Sequence, residues 1–309
     1  AMGATNGVAI LLSQAIGAGE TRRTRTILFT SFILSIVFSL GMTGLLEGMV
    51  SPLLRFLQVP SELYEMTCLY LRIYLIGYGA VYLYCYFAAV LRSFGDTVFQ
   101  MLAMLVCTVL NGALDPLLIH GFGLQGAAAA TVLSQGICLG FMVCYLRKKA
   151  LFSFHAADWS GKELGAVCLK SLPAAFQQSI PAISTSVLTA IVSGFGVTAL
   201  AAYGVAGKLE LLLFYPAMSF QMVLTTIVGQ CIGAGRRDRA WVYCKTALLW
   251  GGGLLIILSC GVVGLAHPLS ELFVDSKAVA EVVAGYFQVV SVGYLFNMET
   301  NCFLGAVNG

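Results

Sequence analysis

Apolar residues run through this chain in long stretches, and the polar residues gather in the short intervals between them. Nine such stretches stand out, at about 1–19, 27–50, 64–91, 98–119, 125–146, 164–193, 199–233, 245–266 and 279–306. A helix needs roughly 20 apolar residues to cross the hydrocarbon of a bilayer. Lipid offers no hydrogen-bond partner to an open strand, so every stretch is predicted to be a helix. The stretch 199–233 exceeds one straight crossing, and Gly204, Gly207 and Pro216 are predicted to bend it.

Composition turns this pattern into a class. The 309 residues are 59% hydrophobic and 10% charged, with a mean hydropathy of +0.90. A soluble domain is about 25% charged and could not hide this much apolar surface. The expected solvent is the bilayer. Ten cysteines lie in or at the ends of apolar stretches without any C-x-x-C pair, so they read as packing residues rather than disulfides or metal ligands. His120, His155 and His267 form no ligand cluster in the sequence. There is no H-E-x-x-H, no G-x-S-x-G and no P-loop, so the chain is not expected to be an enzyme, to carry a cofactor or to bind nucleic acid.

One short phrase occurs twice. Residues 13–19 read Ser-Gln-Ala-Ile-Gly-Ala-Gly and residues 229–235 read Gly-Gln-Cys-Ile-Gly-Ala-Gly, an offset of 216 residues. Arginines follow each: Arg22, Arg23 and Arg25 after the first, Arg236, Arg237 and Arg239 after the second. The same register pairs Pro52-Leu53 with Pro268-Leu269, Glu65 with Glu281, Tyr70 with Tyr286, Gly77-Tyr78 with Gly293-Tyr294, and Phe87 with Phe303. Six predicted helices separate the two phrases. Six is even, so both copies have the same topology, and the repeat is parallel rather than inverted. The fold class read from this is an all-α integral membrane protein with two pseudo-symmetric six-helix lobes, nine of whose helices fall in this chain. The lobes are expected at 1–146 and 164–309, with a cytoplasmic linker at 147–163. Completing the repeat would add one helix before the first residue and two after the last, twelve in all. Glycine at these positions suits a helix C-cap and close packing, which is favoured over contact with substrate.

Charge supports the helix count. Sorting the connections by side puts twelve of the seventeen Lys and Arg residues on one side and only Arg55 and Lys277 on the other. The remaining three, Arg72, Lys170 and Lys208, lie within or near helix ends. By the positive-inside rule the arginine-rich connections are cytoplasmic.

The phrases Leu91-Arg92-Ser93-Phe94-Gly95-Asp96-Thr97, Asn111-Gly112-Ala113-Leu114-Asp115-Pro116, Gly121-Phe122-Gly123-Leu124-Gln125-Gly126, Leu172-Pro173-Ala174-Ala175-Phe176-Gln177-Gln178 and Ala201-Ala202-Tyr203-Gly204 join the doubled phrase in one order and spacing. Taken together, the chain resembles the multidrug and toxic compound extrusion (MATE) family, from the family's second helix to its tenth. The resemblance implies a plasma-membrane antiporter that rocks two lobes about a central cavity. It would export amphipathic or cationic organic compounds in exchange for Na+ or H+, with the lipid bilayer as its surroundings and as a monomer. Many family members use a carboxylate in the first helix, which this chain does not include. An acid that some members carry in the seventh helix is matched here by neutral Gln178. A flippase for lipid-linked sugars and a non-transport membrane protein are the alternatives. The flippase would call for more cationic residues along the cavity than Arg72, Lys170 and Lys208.

Candidate cation- or substrate-binding residues follow from the cost of polar groups in lipid. Glu210 lies two residues from Lys208, and residues two apart on a helix do not face each other, so each needs another partner. Glu299 stands between Asn297 and Asn301. A buried glutamate beside amides suits proton exchange or sodium, whereas a hydrated one at a helix end carries no function. Asn111 and Asp115 are neighbours on one helix face, offering either an oxygen-rich cation site or a cap and kink before Pro116. Gln178 precedes Pro181 in a helix expected to bend along a cavity. Tyr70, Tyr74, Tyr78, Tyr82 and Tyr86 recur every four residues as one slowly winding stripe. Tyr78 near its middle is the ring chosen to face a flat organic cation, and packing accounts for most of the others. No metal site is assigned.

Overall fold

The computed structural model describes residues 2–56, 61–149, 159–271 and 277–309. Every regular element among them is a helix: α1 (Met2–Gly17), α2 (Thr21–Phe56), α3 (Ser61–Ile76), α4 (Tyr78–Ser93), α5 (Thr97–Phe122), α6 (Leu124–Lys148), α7 (Gly161–Ser193), α8 (Val197–Gly233), α9 (Arg237–Glu271) and α10 (Lys277–Asn308). The chain divides into two compact units. One comprises Ala1–Leu12 and Glu20–Ala175, and the other Ser13–Gly19 and Phe176–Gly309. Most of the expected linker, at 150–158, lies outside the described residues.

Nine predicted stretches become ten helices because 64–91 breaks at Gly77 into α3 and α4. The repeat partner of Gly77 is Gly293, and α10 bends there by 50° between Ala278–Ser291 and Gly293–Asn308. The helix is thus interrupted at Gly77 in one copy and bent at the equivalent glycine in the other, where the missing side chain weakens the helix. Gly77 is also buried against the Val132 side chain, which leaves no room for a Cβ. Along the tyrosine stripe, Tyr70 and Tyr74 stack on α3 at 6.4 Å, and Tyr78 and Tyr82 meet at 6.3 Å on α4. By contrast, α8 runs as one helix of 37 residues through Gly204, Gly207 and Pro216, which had been expected to bend it.

Six of the described helical stretches are long and apolar enough to cross a membrane, and the two arms of α10 taken as one span make seven. The other two expected crossings are α1, which is only 16 residues long, and α7, which carries Gln177, Gln178, Ser179, Ser184, Thr185, Ser186 and Thr189 through its second half. Large apolar side chains point outward from the spanning helices, among them Val109, Leu117, Leu249 and Val289. Such a surface would drive aggregation in water and is at rest against lipid tails.

Within the first unit, Tyr86 is fully buried on α4. Its hydroxyl donates to the Leu28 carbonyl at 2.9 Å and lies 3.0 Å from Ser31 Oγ, which ties α4 to α2. The α4–α5 turn uses Gly95 at φ +80°. Asp96, which follows it, reaches the end of α6: its Oδ2 accepts from Tyr145 Oη at 2.6 Å and Lys149 Nζ at 2.7 Å. The Tyr145 ring is itself stacked on Phe99 at 3.6 Å. The hydrogen bond from Lys149, with that from Tyr145, holds the Asp96 carboxyl below the usual carboxylate value and more than offsets its partial burial. The same contact with Asp96 raises the Lys149 ammonium above its ordinary value.

The second unit holds both copies of the doubled phrase, and there they serve as caps and as contacts. Gly19 and Gly235 sit at φ +72° and +70°, a backbone that glycine adopts at little cost. Their amides close the last turns onto the Ile16 and Ile232 carbonyls at 3.0 and 2.9 Å. The phrases also pack on each other. A Cβ on Gly17 would come within 2.7 Å of Gln230 backbone atoms, and one on Gly233 within 2.9 Å of the Gln14 carbonyl carbon. In the 216-residue register Gly17 corresponds to Gly233 and Gln14 to Gln230. The contact is thus reciprocal, each glycine receiving the other copy's glutamine backbone, as in a two-fold interface. Ser13 and Gly229 are equivalent positions that meet each other, with the Gly229 Cβ position 3.3 Å from Ser13 Cβ.

Candidate functional site

The polar centre of the second unit forms where α8 meets α10. Leu209, Leu213 and Ala217 of α8 pack with Val283, Phe287, Tyr294 and Met298 of α10 in one buried cluster. Residues seven or eight apart return to the same helix face after two turns. Tyr203 and Glu210 on α8, and Tyr286 and Tyr294 on α10, are spaced in this way. They converge on the half-buried Glu210. Its Oε1 accepts from Tyr286 Oη at 2.6 Å and from Tyr294 Oη at 2.8 Å. Tyr203 stands edge-on to Tyr286 at 6.5 Å, and Phe214 edge-on to Tyr294 at 6.0 Å. Aromatic edges wall the carboxylate, and both hydroxyls load one oxygen. The second oxygen, Oε2, makes no further bond among the described residues. Lys208 does not pair with Glu210, as expected for residues two apart.

The other candidates lie apart from this centre. Glu299 is exposed, not buried, and lines a cavity of about 330 Å³ with Leu248, Gly252, Ile256, Leu295 and Phe303. Asn301 Nδ2 donates to the Asn297 carbonyl at 2.8 Å and to its Oδ1 at 3.0 Å, so the two amides bond each other and not Glu299. The reason is geometric, since residues two apart on a helix point about 200° from each other. Gln178 is half-buried on α7 beside Gln177, whose Oε1 accepts from Asn308 Nδ2 at 3.1 Å. In the first unit, Asn111 directs Nδ2 to Thr131 Oγ1 at 3.4 Å and so joins α5 to α6. Asp115, half-buried, follows one turn later. Tyr78 is half-buried at the start of α4. No group of three or more His, Cys, Asp or Glu among the described residues could hold a metal ion. The sequence reading missed Tyr286 and Tyr294. The available signal was the repeat: they are the partners of Tyr70 and Tyr78 in the same 216-residue register.

The MatE family model matches residues 1–117 and 173–309. The chain belongs to the MatE family. A relative of this MatE chain is the probable multidrug resistance protein YoeA of Bacillus subtilis (strain 168), 27% identical over 314 residues that cover 95% of this chain and 66% of that protein. The FAD transporter of Shewanella oneidensis is 27% identical over 312 residues, covering 95% of this chain and 67% of that one. The MatE chain thus spans about two thirds of the length of these relatives. A solved MOP superfamily transporter from Pyrococcus furiosus has the same fold, with a TM-score of 0.92, 22% identity, and coverage of all of this chain and 71% of its own. The all-α architecture, the family and the multi-pass membrane setting agree with the sequence reading.

Proposed function

We propose that the protein to which this chain belongs is a secondary active antiporter. It exports amphipathic, often cationic, organic compounds in exchange for Na+ or H+ by alternating access. It works as a monomer in the plasma membrane, with the arginine-rich connections in the cytoplasm. Family membership and the relative named a multidrug resistance protein support the export of organic compounds. The uneven distribution of Lys and Arg supports the orientation.

The observation that carries the coupling is Glu210. A carboxylate in a spanning helix is costly, and such residues mark ion or proton pathways. Here two tyrosine hydroxyls fix the carboxylate through Oε1, and Oε2 is left to take a proton or a sodium ion. Neutralising the charge changes how strongly the hydroxyls are held, because bonds to an ionised acceptor are roughly twice as strong as neutral ones. Cation and substrate then favour different arrangements, each only to the extent that it binds one arrangement better than the other.

The test is ethidium efflux from exporter-deficient cells carrying the full-length gene, with and without a sodium gradient and with a protonophore. Wild-type efflux is expected to follow one of the two gradients. Glu210→Gln is expected to lower it roughly tenfold or more, the equivalent of about 1.4 kcal/mol. Efflux of organic cations that follows neither gradient rules out the antiporter, and unaffected efflux in Glu210→Gln removes this carboxylate from the coupling.

A further inference from the structure

We propose that the second unit carries, at the start of α9, a binding site for a phosphate-class oxyanion clasped by Arg236 and Arg239. A cavity of about 470 Å³ opens there, lined by Gly17, Gln230, Cys231, Arg236, Arg239 and Tyr243. Arg236 immediately precedes α9 and Arg239 lies in its first turn, and both line the cavity with Tyr243, which shares the Arg239 face four residues on. Neither guanidinium has a carboxylate within salt-bridge distance among the described residues. Asp238 lies between them in the sequence but does not line the cavity.

The repeat supplies the comparison. In the 216-residue register Arg236 and Arg239 correspond to Glu20 and Arg23. In the first copy those positions form an ion pair, Arg23 Nη1 to Glu20 Oε2 at 3.3 Å, and Arg23 Nε also reaches Glu163 at 3.1 Å. The same helical geometry thus satisfies its arginine with acids of its own in one copy and presents two like charges in the other. Two cations at this spacing repel, and both sit at a helix start, where the macrodipole favours an anion. An oxyanion between them reverses both effects. Guanidinium forks match phosphate oxygens in pairs, and the free amides of the first turn of α9 point toward the same end. The Tyr243 hydroxyl brings a further donor to the wall. A phosphodiester lipid headgroup and a free phosphate present the same chemistry to this site.

The experiment uses the full-length protein in nanodiscs. Thermal melting is followed in phosphatidylcholine alone, in phosphatidylcholine with phosphatidylglycerol, and in phosphatidylcholine titrated with inorganic phosphate. Wild type is expected to melt several degrees higher with phosphatidylglycerol, with phosphate, or with both. A response to phosphatidylglycerol alone assigns the site to a lipid headgroup, a response to phosphate alone to a soluble ligand, and a response to both to the shared anion. Arg236→Glu recreates the pair formed by Glu20 and Arg23, and is expected to shift the midpoint of the response at least tenfold while preserving the fold. Should that variant fail to fold, Arg239→Gln carries the same expectation, with unchanged melting in phosphatidylcholine. The proposal is overturned if wild type responds to neither probe, if the variants respond as wild type does, or if Arg22→Gln, outside the cavity, removes the response equally.

Discussion

Glu210 acquires its place in the fold from two tyrosines that are 76 and 84 residues away in sequence. Its cost in lipid was evident from its residue type, but its partners were not, because hydrogen bonding depends on how α10 bends and where it meets α8. Removing either hydroxyl leaves the carboxylate with one donor, and bonds to charged groups contribute about 1.5–3 kcal/mol each. Tyr294→Phe and Glu210→Gln should therefore be non-additive in thermal melting, with a coupling of about 0.5–3 kcal/mol. Additive effects would dismiss the bond as energetically idle. Glycines sort by the same kind of local argument. Gly17→Ala drives a methyl into the Gln230 backbone and should cost about 1–3 kcal/mol. Gly44→Ala on α2 meets open space and should be neutral, or stabilising by up to about 1 kcal/mol through helix propensity. Melting the two variants side by side separates packing from propensity.

Helices were legible as elements because hydropathy reports membrane contact directly, and their ends lie close to where the polar residues begin. Breaks within elements were less legible. Gly77 and Pro216 both interrupt apolar stretches, yet only the first divides a helix. Connections between elements carry their own chemistry. The tie from Asp96 to Tyr145 and Lys149 joins the α4–α5 turn to the end of α6, and its strength should follow pH. A carboxylate held below its ordinary value contributes fully above that value, near pH 3.8, and loses the contribution as the pH falls further. The Lys149 half contributes fully below its ordinary value of 10.5 and is lost as the pH rises through its raised one. Asp96→Asn should accordingly lower the melting temperature at pH 7 and lower it by less at about pH 3, below the ordinary carboxylate value of 3.8. A deficit of equal size at both values would mean that the charge is not what matters.

At the scale of the molecule, the repeat and the charge distribution were readable in the sequence because each is a long-range pattern that survives divergence at single positions. The packing of one doubled phrase on the other was not, since nothing in Gly-Ala-Gly says which backbone will approach it. Orientation can be checked with impermeant maleimide on intact cells, after replacing the exposed Cys144, Cys168 and Cys260 by serine. Arg55→Cys should label from outside and Arg25→Cys only after lysis, and the reverse pattern would invert the proposed topology.

The meeting of Ser13 with Gly229 has a consequence for how such a chain can evolve. Two copies fresh from a duplication carry the same residue at equivalent positions, and a position that meets its own counterpart this closely is crowded when both keep a side chain. Two serines would be crowded there, since the Gly229 Cβ position already falls 3.3 Å from Ser13 Cβ. This is therefore a point where packing favours drift between the halves, and where the direction of change is arbitrary. Gly229→Ser alone should impair folding, whereas adding Ser13→Gly should restore it, because the pair only exchanges which half gave way.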